Sequence, residues 1–371
     1  MGRKKGRKRA AADSLPHPPK TGDFRIIPVD ILKGLAAISV ILIHTFSPVL
    51  LSVTGAPYHI WQAVPVFLLL AAFTGALSYR WLDRTTLSGL YDLAILIRRY
   101  KRILVPFAVV WAVEVIVLLL LPQQMSWYAG YSGQILSGGV GIVVSFFSGG
   151  IGPGNYFIPL IIVQIFAIPI LYWLAVRFSP GKMVVSIFIL DMVFQYVLYL
   201  AGIHTFVPGL TYVNYVVLTA LGIWLALEKH PQTAVLAAAG ILSAAYITAV
   251  YYFNFQFWFI APLAGFFSEF SYFWTLVLVV TGLRFLPSTS LSKAWSIVAD
   301  LGKASWHIFL VQMAFLAFFN DSLLAFIDSA IPGPDLGWLL VAQVGFTLLV
   351  LAVCLPAGYG FYRAGEYLGK R

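Results

Sequence analysis

Lys33 and His44 stand 11 residues apart in an apolar run, Asp30 to His44 (DILKGLAAISVILIH). At 100° per helical residue the separation is about 1100°, roughly 20° past three full turns. Both side chains therefore lie on almost one helix face, about 16 Å apart along the axis. An ionisable group inside a membrane span is costly and marks a candidate functional site. An imidazole can take and return a proton near neutral pH, as general acid–base chemistry requires. The alternative is a histidine that hydrogen-bonds a neighbouring helix. Thr45 and Ser47 make the far end of the run locally polar and suit either role.

A second constellation is Arg98, Arg99, Lys101 and Arg102. Arg99 and Arg102 are i,i+3 and share a helix face; Arg98 and Arg102 are i,i+4. Basic residues at the end of a span serve as cytosolic anchors without any ligand. Four cations in five positions also repel one another, and a multiply anionic ligand would relieve that repulsion. Arginine suits bidentate contacts to phosphate. Lys33 lies at a similar depth, so a phosphate-bearing donor could dock there with its tail towards His44. Glu114 is about 18 Å along its helix from Arg102, which places it near the depth of His44. It either orients the imidazole, as a carboxylate does in hydrolase triads, or hydrogen-bonds between helices. Asp191 and Glu269 are read as interhelical hydrogen-bonding groups. No His, Cys or carboxylate spacing suggests a metal site, and neither a Walker motif nor a dinucleotide fingerprint is present.

The elements that must position these residues are membrane helices. The chain is 60% hydrophobic and 10% charged, against about 25% charged in soluble domains. Apolar runs of this length exclude a membrane β-barrel. The expected fold is all-α: ten spans at 26–51, 60–81, 95–121, 155–177, 183–203, 210–228, 232–252, 259–284, 296–319 and 336–362. Arg80, Arg84, Arg98, Arg177, Lys182, Lys229, Arg284, Lys293, Lys303, Arg363, Lys370 and Arg371 then all fall on one side. The opposite loops 52–59, 122–154, 203–210 and 252–257 hold no lysine or arginine, and 320–335 holds only acidic residues among its charges. This positive-inside pattern puts both termini in the cytosol.

Residues 1–20 hold seven basic residues against one aspartate, +6 of the chain's +10. Beside a membrane span, such a cluster reads as an anchor to anionic lipid headgroups rather than a nucleic-acid site. It is not read as a cleavable signal peptide. The domain division is a basic tail over 1–23, one membrane domain over 24–363 and a short cytosolic tail over 364–371. Cys354 is a packed core residue. The uncharged loop 122–154 is long enough to be functional, with Gly141–Phe147 re-entering the interface. Its Trp127, Tyr128 and Tyr131 are suited to stacking on sugar rings or to interfacial anchoring.

At these residues the chain resembles the membrane-bound acyltransferase-3 family. Asp30, Lys33, Gly34 and His44 are similar to that family's Asp-x-x-Arg/Lys-Gly opening and Arg/Lys-x10-His spacing. Pro65-Val66-Phe67 resembles its PVF segment; Ala71 fits the Ser/Ala position that follows, and Ala72 stands where glycine is usual. RYKRILVP, with Arg99, Arg102 and Pro106, resembles the Arg-x-x-Arg segment. GNYFIPLIIVQ, ending at Gln164, resembles WFL-x-x-L-x-x-Q with Tyr156 in the tryptophan position. LGKASWHIFLVQ, with Ser305, resembles LG-x-x-S-Tyr-x-Ile-Tyr-Leu-x-His with Gln312 in place of the last histidine. The IRRYKRILVP and GNYFIPLIIVQ segments look closest to the intercellular-adhesin polysaccharide O-acylase branch.

The resemblance implies a multi-pass cell-membrane O-acyltransferase. Its donor would be cytosolic acyl-CoA, with acetyl the expected group, and its acceptor a hydroxyl of a cell-surface or exported glycan. No resident cofactor is expected. Lys33, Arg99 and Arg102 would bind the donor, His44 would act as general base and Glu114 would support it. Asp30, Gly34, Pro65, Gln164 and Ser305 carry the motifs. The competing class is a transporter or flippase for a glycan or lipid-linked intermediate. The ordered motifs and the lack of an evident internal repeat count against it.

Overall fold

The computed structural model describes residues 25–120, 139–202, 212–228, 233–255, 268–289, 291–330 and 336–368. Among them there is no strand. The helices are α1 Ile27–Thr45, α2 Pro48–Val53, α3 Ala63–Trp81, α4 Leu87–Leu90, α5 Leu93–Leu120, α6 Gly139–Phe147, α7 Phe157–Phe178, α8 Pro180–Leu200, α9 Val216–Leu227, α10 Thr233–Tyr251, α11 Tyr272–Phe285, α12 Lys293–Lys303, α13 Ser305–Ala330 and α14 Leu336–Leu368. Among the described residues seven helical segments are long and apolar enough to cross a membrane, or eight if α12 and α13 form one bent span. Tyr212–Leu227 and Tyr272–Phe285 are shorter apolar helices.

Two expected spans differ in shape. The run 26–51 is one helix only to Thr45. Ser47 then caps α2, its side chain accepting from Leu50 N, so the polar end of the run turns away as a separate short helix. The expected span 296–319 is broken at Ala304, where α12 and α13 meet at 72°. That bend brings the first turn of α13 against α1.

α1 and α3 form the centre. α1 contacts α3 and α11 to α14, and α3 contacts α1, α7, α9 and α11. In a membrane, helices associate by close packing, because lipid is as apolar as leucine; small residues at contacts let backbones approach. Gly34 of α1 faces the backbone oxygen of Val298, and Gly302 of α12 faces the backbone oxygen of Asp30; at neither position is there room for a Cβ. The Ala72 methyl lies against Gly222 of α9, where an added Cβ would come within 2.8 Å of it. The small partner here sits on α9, so α3 carries the alanine and α9 the glycine. Pro65 occupies the first turn of α3, where backbone N–H groups need no intrahelical acceptor.

The apolar side chains that do not face this centre line the outside. Val105, Val109, Val113 and Ile116 of α5, and Val185, Ile189 and Val193 of α8, are exposed. Soluble monomers rarely expose patches of that extent. On a membrane bundle they meet lipid.

Candidate functional site

At the end of the bundle where α1 begins and α3 ends lies a cavity of about 460 Å³. Lys33 reaches it from α1, Ser78 from α3 and Arg99 and Arg102 from α5. The α12–α13 bend supplies Lys303, Ser305, Trp306 and His307, and α14 supplies Tyr362. Arg98 and Lys101 do not line it; they occupy the other faces of α5 and are exposed. Of the two face-sharing pairs, Arg99 with Arg102 is the one that lines the cavity.

Arg99 is held in place. Its Nη1 donates to Tyr79 Oη at 2.9 Å and its Nη2 to Ser78 Oγ at 2.8 Å, and the guanidinium carbon lies 4.7 Å from the Tyr79 ring centroid. Two hydrogen bonds and a cation–π contact fix the planar group towards the cavity. A Cβ on Gly75 would meet Ile168 Cγ2 first, at 3.3 Å, and would stand in ordinary contact with Arg99 Nη1 at 4.0 Å.

The charges are unbalanced. The carboxylate at the rim, Asp30, is paired with Arg25 (Nε–Oδ2 2.7 Å). Lys303 pairs with Asp300 (2.8 Å). Among the described residues Lys33, Arg99 and Arg102 make no ion pair. Three cations without an ion-pair partner thus face one cavity, beside the first turn of α13 at Ser305; such a surface carries positive potential.

The deeper wall is apolar and aromatic. Ile161, Ile165 and Ile168 of α7 line it with Phe67, Phe157 and Phe309. Gln164 is the polar exception: its Nε2 donates to Leu68 O (2.7 Å) and Thr219 Oγ1 (3.0 Å), while Oε1 has no partner. Gln164 therefore ties α7 to α3 and α9, with its Oε1 buried and without a partner.

His44 and Glu114 do not line this cavity. They meet instead around a buried glycine loop, 149–154, which follows α6. Gly149, Gly150 and Gly154 have φ of 95°, 97° and 84°, the left-handed region that favours glycine. Glu114 is fully buried and its Oε2 accepts from Ile151 N at 3.1 Å. At the other end of the loop, a Cβ on Gly154 would stand 3.6 Å from His44 Nε2. Asn155 Nδ2 closes the loop by donating to Gly150 O at 3.3 Å. Glu114 therefore reaches His44 through the loop; among the described residues no hydrogen bond joins the two side chains. Gly141–Phe147 lies within α6, which leaves Val143, Val144 and Phe147 exposed, and the glycine run that follows is the buried part of the segment.

Of the motif residues, Asp30, Lys33, Arg99, Arg102, Gln164 and Ser305 share the cavity, whereas Gly34 and Pro65 serve helix packing. Gln312 is fully buried, with neither amide atom hydrogen-bonded. Sequence reasoning passed over Ser78, Tyr79 and His307. Ser78 and Tyr79 had a readable signal: hydroxyls at the basic end of a span, level with Arg99. His307 is a cavity residue, its ring edge-on to Phe361 (4.9 Å) and Tyr362 (5.5 Å) and its Nδ1 without a partner. Trp127, Tyr128 and Tyr131, and the basic residues before Arg25, lie outside the described residues.

The family model described as an acyltransferase domain matches residues 26–359, nearly the whole chain. No curated protein and no solved structure matches the chain.

Proposed function

The chain belongs to the acyltransferase-3 family, and on that premise we propose that it transfers an acetyl group from cytosolic acetyl-CoA to a hydroxyl of a cell-surface or exported glycan. The observation that carries this reading is the cavity: three uncompensated cations at its rim and an apolar wall leading inwards towards His44. That is the chemistry of a donor with a phosphorylated head and an uncharged thioester arm.

In the proposed reaction the CoA phosphates bind Arg99, Arg102 and Lys33, and the pantetheine arm runs along the isoleucine wall of α7. The acceptor approaches from the opposite end of the bundle, where the glycine loop lies. His44 Nε2 takes the proton of the acceptor hydroxyl as its oxygen bonds to the thioester carbonyl carbon. Collapse of that adduct breaks the C–S bond, and the imidazolium returns the proton to the leaving thiolate. Glu114 supports His44 by holding the loop.

The topology proposed with this function has ten spans and both termini cytosolic. Eight spans, with the bent pair counted once, and two shorter apolar helices support the number. The basic residues at the cavity end support the direction. The basic tail would bind anionic lipid headgroups on the same side.

The test is release of CoA from acetyl-CoA by the purified chain in detergent, paired with mass analysis of surface glycans from cells with and without the protein. The reading predicts acetyl-CoA-dependent CoA release and acetyl esters that vanish with the protein. No CoA release, with glycan movement in liposomes instead, would identify a transporter.

A further inference from the structure

We infer that Phe309 is the specificity-determining residue of this site, an aromatic partition that sets how long an acyl group can be presented to His44. The inference rests on the acyltransferase reading above. Phe309 is 6% exposed and belongs to two surroundings at once. On one side it lines the cavity that holds Arg99 and Arg102. On the other, its ring edge borders Gly154: a Cβ there would stand 3.3 Å from Phe309 Cε2 and 3.6 Å from His44 Nε2. By the triangle inequality, those two distances bound the separation of ring edge and imidazole nitrogen at about 7 Å. His44 itself is not in the cavity wall. The ring is therefore shared by the wall of the cavity and the surroundings of the base, and we take it to divide the two.

The ring is held there by its neighbours. It stacks on Trp306 (centroids 5.7 Å, 23° between planes) and meets Phe157 edge-on (5.4 Å, 71°). Trp306 is tied in turn to α5, its Nε1 donating to Ile103 O at 3.2 Å. Aromatic pairs in these geometries attract one another beyond what their buried area accounts for. Three packed rings make a wall rather than a loose plug. With its head on Arg99 and Arg102, a donor must present its carbonyl carbon at this wall. Carbon beyond the carbonyl has only the space between Phe309 and the glycine loop. Gly154 keeps that space open, and any side chain there would fill it. A Cβ on Gly154 would already stand 3.3 Å from the ring, so that space is about one methyl group wide, and each methylene beyond an acetyl methyl presses on the Phe309 ring.

The experiment compares the purified wild-type chain with Phe309→Ala and the milder Phe309→Leu, using acetyl-, butyryl- and hexanoyl-CoA. CoA release gives the rate, and acyl-CoA binding by thermal stabilisation gives a readout independent of turnover. The expected result is a rise of at least about tenfold in the hexanoyl-to-acetyl ratio of CoA release for Phe309→Ala, since one methylene in a tight pocket is worth about 10–200-fold. Phe309→Leu should fall between, and carries the test alone if the alanine variant does not fold. If the wild type releases CoA but neither variant changes the ratio by more than about twofold, Phe309 does not set chain length, while the acyltransferase reading stands. If the wild type neither binds nor cleaves any of the thioesters, both ideas fall.

Discussion

Gly302 lies against the backbone carbonyl of Asp30 with no room for a Cβ between them. This contact, with Gly34 against Val298, docks α12 directly on α1 and sets the 72° bend beside Lys33. One side of the cavity is therefore assembled by backbone contact between two helices distant in sequence, with Lys33 on that joint and Arg99 and Arg102 facing it from α5.

Gly34→Ala and Gly302→Ala should act on stability first. Each added methyl meets backbone that cannot rotate away, and overpacking of this kind costs about 1–3 kcal/mol or more. The check is the melting temperature in detergent, which should fall for both, whereas Gly360→Ala, where the added Cβ meets nothing within 4 Å, should leave it unchanged.

Arg99→Ala and Arg102→Ala should weaken acyl-CoA binding. A lost hydrogen bond to a charged group is worth about 1.5–3 kcal/mol, or roughly ten- to a hundredfold in affinity. Arg98→Ala should bind donor like the wild type, since Arg98 points away from the cavity. Arg99→Lys should not rescue, because a lysine ammonium cannot reproduce the fork that spans Ser78 and Tyr79. Equal losses for Arg98 and Arg99 would reduce the cluster to a membrane anchor.

Glu114 permits a sharper distinction. If it holds the glycine loop, Glu114→Gln keeps an acceptor for Ile151 N and retains most activity. Glu114→Ala leaves that buried N–H unmatched, at a cost of about 1–3 kcal/mol, and loses activity with stability. Were Glu114 the charge partner of the His44 imidazolium, the glutamine variant would be as inactive as the alanine one.

The architecture was legible where physics leaves few choices. Apolar runs of span length had to be helices, since a backbone in lipid must satisfy its own hydrogen bonds. Spacing offered both Arg99 with Arg102 and Arg98 with Arg102 as face-sharing pairs, and the resemblance to an Arg-x-x-Arg segment picked out the first. What sequence periodicity could not reveal were contacts between distant segments. Ser78 and Tyr79 are readable as hydroxyls at the basic end of a span, but that α5 lays Arg99 across them is not. The break at Ala304 has no proline or glycine at that residue; the glycines that let α12 dock on α1 are Gly302, two residues before it, and Gly34 on α1, which lies against Val298. Matching Glu114 to His44 by depth along their helices found the right level of the bundle but not the loop that lies between them.

The most direct measurement is transfer of label from radioactive acetyl-CoA by the purified chain, wild type against His44→Ala, with donor affinity and melting temperature recorded for both. The account predicts that His44→Ala binds acetyl-CoA and melts like the wild type while acetyl release falls by at least about 10²–10⁴-fold, the contribution of a positioned general base. A His44→Ala protein that still transfers acetyl at the wild-type rate would contradict it.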